Sequence, residues 1–167
     1  MNINNNNHNL NLYNTLLTLS RDIFFYKELK LPDTFQTRIY LMFVHFSVML
    51  ISLKKKNLKF NQKSYDELFF TIENNLRELG FGDIAVNKKM KELNKIFYDI
   101  LLKLESTTND QKLFNINHNL ISKYFDQLKD PESIKYTDFK SYFLRFFNFC
   151  FEFSSDNMVS KAIKFKN

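Results

Sequence analysis

A chain of 167 residues that is 44% hydrophobic and 17% aromatic, with only two glycines and two prolines, can fill one core but has few residues for tight turns. A β-sandwich, barrel or doubly wound sheet is excluded on that ground, and a single compact all-α bundle is expected. The net charge of +6 favours acidic partners such as anionic lipid, ribosomal RNA or an acidic protein face, and the lone Cys150 excludes an internal disulfide.

In chain order, "MNINNNNHN" is low-complexity and lacks both a signal-peptide apolar run and transit-peptide arginines, so residues 1–10 are expected to be a disordered lead-in without export. One helical domain is expected over residues 11–167. Leu12, Leu16, Leu19, Ile23 and Tyr26 come next at helical spacing, as one helix or as two with a bend near Ser20. Pro32 ends this region, and Asp33 or Thr34 caps the next helix.

That helix is apolar from Ile39 to Leu53 apart from Tyr40, His45, Ser47 and Ser52. The run covers roughly 22 Å, against ~30 Å for a bilayer core, so the reading is a central helix buried on most sides. Lys54, Lys55 and Lys56 place favourable charge at its C-terminus. Arg38, His45 and Ser52 recur every seven residues on one face. They form either a satisfied polar seam, with Arg38 paired to a carboxylate and His45 bonded to a carbonyl, or a partner contact.

Tyr65, Leu68, Phe69, Ile72, Leu76 and Leu79 make one stripe, with Phe70 off it. Val86, Met90, Leu93, Phe97, Ile100, Leu101 and Leu104 make a second. Between them lie Gly80 and Gly82, so an antiparallel helical hairpin is expected. Gly80 suits the left-handed position after the first helix, Gly82 a tight reversal, and Asp83 the N-cap of the second helix. Lys88, Lys91 and Lys95 share a face, as solvated surface or as a docking patch for an anion.

Ser106 to Asp110 ends the hairpin; a moderate helix, a turn at Pro131, a Phe-dense helix from near Thr137 and a short basic helix complete the chain. Phe139, Phe143, Phe146, Phe147, Phe149, Phe151 and Phe153 exceed what one stripe buries; most of them read as core, and any remainder left exposed would be an apolar patch suited to a hydrophobic client. Cys150 among them reads as a small core residue. His8, His45 and His118 are scattered without metal-site spacing, and no phosphate loop, nucleophile elbow or redox pair occurs, so neither an enzyme nor a metal or cofactor is expected.

Several motifs in order resemble the ubiquinol-cytochrome c chaperone family from about Tyr13 to Glu105. They are Phe25-Tyr26, Pro32-Asp33-Thr34, Arg38 with His45, Leu76-Arg77-Glu78, Gly80-Phe81-Gly82-Asp83, Lys88-Lys89 and Phe97-Tyr98. The sequence departs from the family pattern at Thr37 and Asn87, where glycines are usual, and at Asp99-Ile100, where Gly-Arg is usual. The resemblance implies an all-α, non-catalytic assembly chaperone of the respiratory cytochrome bc complex, holding newly made cytochrome b or another subunit. It further implies a small partner protein, the ribosome and anionic membrane as contacts, without sequence-specific nucleic-acid binding. The expected location is peripheral at the cytoplasmic side of a bacterial inner membrane, or the mitochondrial matrix. Arg38, His45, Arg77, Glu78, Asp83, Lys88 and Lys89 are its implied partner-binding residues, around a turn made by Gly80 and Gly82. Two other readings stay open: a helical carrier of a quinone or lipid in the aromatic interior, and ribosome docking by the lysine face.

Overall fold

The computed structural model describes residues 11–108 and 114–167, and the expected lead-in over residues 1–10 lies outside them. The first helix, α1 (Leu12–Ser20), starts where the Asn11 side-chain oxygen accepts the Asn14 N–H at 2.8 Å. It buries Leu12, Leu16 and Leu19. The chain then bends, with the Ser20 hydroxyl donating to the Leu17 carbonyl and the Asp22 carboxylate accepting the Phe24 N–H, into a π-helical turn, Phe24–Glu28. The bend shifts the periodicity, so Phe24 and Phe25 face the core while Ile23, expected inside, is exposed.

Thr34 caps α2 (Phe35–Lys55) by accepting the Thr37 N–H at 3.1 Å. By length and composition α2 could cross a membrane, but here 78% of its most apolar window is buried by protein. It packs against α1, α4 (Asp83–Thr108) and α6 (Ile134–Phe151), the last beginning three residues before the expected Thr137. Two aromatic groups flank it. On one side Phe97 of α4 packs against Phe43 and Phe46, stacked on Phe46 at 5.4 Å, and against Phe69 of α3 (Gln62–Glu78). On the other, Phe25, Tyr142, Phe143 and Phe146 surround His45, with ring centroids 4.8 to 5.8 Å away. Of the Phe-dense helix, Phe139, Phe143, Phe146 and Phe147 are thus taken up by ring-on-ring packing, while Phe151 remains exposed.

His45 is fully buried. Its Nδ1 lies 2.7 Å from the Leu41 carbonyl, which can only accept, so the proton sits there; Nε2 then accepts from the Tyr142 hydroxyl at 2.9 Å. Arg38 pairs with the Asp33 carboxylate, its Nε at 2.8 Å, and Ser52 donates to the Met49 carbonyl. The seam is therefore satisfied at these three positions, whereas the hydroxyl of Ser47, off the seam, is buried without a partner.

The lysines closing α2 tie helix ends together. Lys54 pairs with Glu105, Lys55 donates to the Thr108 carbonyl at 2.5 Å, and Lys56 donates to the Phe151 carbonyl at 2.8 Å and to that of Phe153. The remaining helices, α5 (His118–Tyr124, followed by a 3₁₀ turn at Asp126–Leu128) and α7 (Met158–Ala162), cover the flanks. Cys150 is buried, and burial pushes its thiol pKa up.

Phe97→Ala is expected to cost about 3–5 kcal/mol in urea denaturation, because it empties the centre of an aromatic cluster. The exposed Phe70→Ala should stay within about 0.5 kcal/mol. Burial lowers the His45 pKa to about 3, against an opposing contribution from the Leu41 carbonyl. The unfolded chain therefore takes up a proton near pH 6.5 that the folded one refuses, and stability falls as pH drops below that value. The loss between pH 7.5 and 5.5 should be about 1.4 kcal/mol, and His45→Gln should abolish that component of the slope in the same denaturation series.

Candidate functional site at the hairpin tip

The α3–α4 turn is built from backbone bonds that the sequence demands. The Gly80 N–H donates to the Arg77 carbonyl at 2.9 Å and the Phe81 N–H to the Leu76 carbonyl at 3.3 Å, the two bonds of a Schellman motif. Gly80 has φ of +94°, a conformation that L side chains resist. Asn57 plays the equivalent part after α2, at φ of +57°.

Gly82 and Asp83 differ from expectation. The helix starts at Asp83 itself, with the Gly82 carbonyl accepting the Val86 N–H at 2.9 Å, so Asp83 occupies the first turn rather than the cap. Its carboxylate instead pairs back across the turn with Arg77, whose other arm bonds Glu73 at 2.9 Å. Gly82 is not in the left-handed region, and a Cβ placed on it would meet nothing within 4 Å. The turn needs one glycine.

Arg77, Glu78, Asp83, Lys88 and Lys89 all lie at this end of the hairpin. Bonds to Glu73 and Asp83 raise the Arg77 pKa and occupy its guanidinium, so its charge is matched locally. Glu78 and Lys88 are exposed; the Lys89 ammonium stands 4.8 Å from the centroid of the Phe81 ring. Arg38 is not part of this group, since it turns toward Asp33 and Tyr26, and bonding to Asp33 raises its pKa. Nor is His45, which the folded protein offers to no partner because it is enclosed by aromatic rings.

What sequence reasoning missed is apolar. Leu79, assigned to the buried stripe, is 63% exposed because α3 ends before it, and Phe35, Phe81 and Ile84 are exposed at the same end of the molecule. A phenylalanine between two glycines, with no helix to bury it, was the available signal. Beside the tip lies a cleft of about 190 Å³ lined by Phe35, Ile39 and Tyr40 of α2, Leu76 of α3, and Lys89 and Ile96 of α4. Further along, Asp99 accepts from Lys103, from Lys123 at 3.0 Å and from Tyr124. Burial alone would raise its pKa, but those donors hold it well below the usual carboxylate range. The arrangement offers apolar contact beside charges of both signs, with Glu92 lining the cleft next to Lys89. Among the described residues, no three His, Cys, Asp or Glu side chains gather as metal ligands.

A family model described as Ubiquinol-cytochrome C chaperone matches residues 27–164, well over half of the chain. The match extends past Glu105 through α6 and the whole of α7, beyond the stretch whose motifs carried the resemblance. No curated protein and no solved structure matches the chain.

The two glycines should respond differently to alanine. Gly80→Ala is expected to destabilise the protein by about 1 kcal/mol through its left-handed backbone. Gly82→Ala should be neutral within about 0.5 kcal/mol. Thermal or urea unfolding of the pair checks both, and equal losses would contradict the turn geometry described above.

Proposed function

The chain belongs to the ubiquinol-cytochrome c chaperone family, and from that premise we propose that it is a non-catalytic assembly chaperone that holds newly made cytochrome b while complex III is built. The family assigns it a chaperone role in complex III assembly. The match over residues 27–164 carries the reading, and the hairpin tip supports it physically. A hydrophobic membrane subunit needs apolar contacts before its neighbours arrive, and Phe35, Leu79, Phe81 and Ile84 provide them beside Lys88 and Lys89. A small partner protein and the ribosomal exit are the proposed co-contacts. The proposed location, suited to a membrane client, is the cytoplasmic face of a bacterial inner membrane or the mitochondrial matrix.

Deleting the gene should lower assembled complex III and the b-type haem absorbance of membranes; an unchanged spectrum would contradict the role. Re-expression of Leu79→Ser with Lys89→Glu, two changes at side chains away from the core interior, should leave the melting temperature near that of the parent. Cytochrome b recovered with the chaperone from detergent-solubilised membranes should drop roughly tenfold, since an apolar anchor and a charge are removed together. Undiminished recovery would make the tip a feature of architecture only.

A further inference from the structure

Helix α4 carries a second apolar set, placed as far from the core as a helix allows. Val86, Phe97, Ile100 and Leu104 are its buried residues. On the opposite side, positions 84, 88, 91, 95, 98 and 102 advance by four and three alternately, which keeps them in one line at 3.6 residues per turn. The line reads Ile84, Lys88, Lys91, Lys95, Tyr98, Leu102, and every member is exposed. Ile84 is 87% exposed, Tyr98 51% and Leu102 61%. Solvation accounts for the lysines but not for branched apolar groups at both ends of a ridge about 27 Å long.

Charge says what the ridge meets. Among the described residues none of the three lysines pairs with a carboxylate, and neither does Lys89, which stands over the Phe81 ring, whereas Lys63, Arg77 and Lys103 on the same two helices do. Glu92, four residues after Lys88 and three before Lys95, is the one carboxylate beside the row and forms no ion pair among the described residues. Asp99 is already bonded by Lys103, Lys123 and Tyr124, so the row keeps a positive excess. A net-positive lysine row bracketed by aliphatic side chains has the chemistry of an interfacial helix: ammonium groups reach phosphates while Ile84 and Leu102 enter the acyl boundary, and Tyr98, its hydroxyl 3.2 Å from that of Tyr65, stays at the level of the headgroups. The ridge is convex, and a partner helix would need a groove instead. A nucleic-acid backbone would use the lysines and leave the aliphatic ends without purpose.

We propose that the outward face of α4, from Ile84 to Leu102, docks this protein onto an anionic phospholipid surface, with the helix axis lying along the membrane plane. The inference rests on the membrane-side location proposed above and names the face that provides it. The cleft beside the hairpin tip then opens at the flank of the docked helix, close to where a membrane subunit emerges.

Purified full-length protein is floated with vesicles of phosphatidylcholine alone or of equal parts phosphatidylcholine and phosphatidylglycerol. Flotation is expected with the anionic vesicles only, weakening as salt is raised. Lys88→Glu, Lys91→Glu and Lys95→Glu combined should reduce binding by about 100-fold or more, at roughly fivefold per lysine near an anionic surface. Ile84→Ser with Leu102→Ser, which touches no buried residue, should reduce it by about tenfold through lost insertion. No flotation, or flotation unaffected by the triple variant, overturns the proposal. Loss on charge reversal with the apolar variant binding like the parent also overturns it, in favour of a purely electrostatic partner such as RNA. The assay contains no client, so its failure leaves the chaperone role to be judged by complex III assembly, and a failed assembly result leaves the lipid contact standing.

Discussion

Helix α2 is apolar on nearly every side, and the rest of the structure is arranged to cover it. Fourteen of its 21 residues are buried, and at about 1.5–3 kcal/mol for each large side chain no other element contributes as much to folding. One neighbouring helix cannot enclose a cylinder, so α1, the α3–α4 hairpin and α6 are each drawn against a different face. The one imidazole this arrangement encloses is tolerated because Leu41 and Tyr142 satisfy both ring nitrogens. Lys54, Lys55 and Lys56 then lock the far end by holding the termini of α4 and α6.

Because α2 fixes the hairpin by its aromatic stripe, the opposite sides of α3 and α4 are free for other uses. The ring cluster around Phe97 sets the rotation of α4, which sends Lys88, Lys91 and Lys95 outward and Lys89 toward the cleft. At the tip, Arg77 is matched by Glu73 and Asp83, so the positive field of this region comes from the α4 lysines and not from the arginine. The molecule thereby presents two adjoining surfaces that meet at Ile84 and Lys88: an apolar tip whose cleft is shared with α2, and a basic ridge along α4.

The helical periods, the cap at Thr34, the left-handed Gly80 and the burial of Cys150 were legible because each depends on residues close in sequence. The paired Arg38 and bonded His45 of the polar seam were legible too, since charged or polar groups on a greasy helix must find partners. Other features were not. Ile23 and Leu79 continue a pattern on paper, but a bend and a helix end remove each from the core. Asp83 has a capping residue's chemistry, yet Arg77 lies close enough to claim its carboxylate. The family motifs pointed to a contact surface, but only packing distinguishes the enclosed His45 from side chains that a partner can reach, and only the fold sets Arg38, paired with Asp33, apart from the hairpin tip.

By itself the sequence determined that the chain is all-α, that its longest apolar run is a buried helix, and that a hairpin turns at Gly80; scarce turn residues and 3.6-residue periodicity leave few alternatives. Tertiary structure decided which polar groups are free. A lysine on α2 and a lysine on α4 are the same chemistry in one dimension. Lys54 and Lys55 of α2 end at a carboxylate or carbonyl of α4, while Lys88, Lys91 and Lys95 of α4 form no ion pair among the described residues, and that difference depends on distances between segments far apart in the chain.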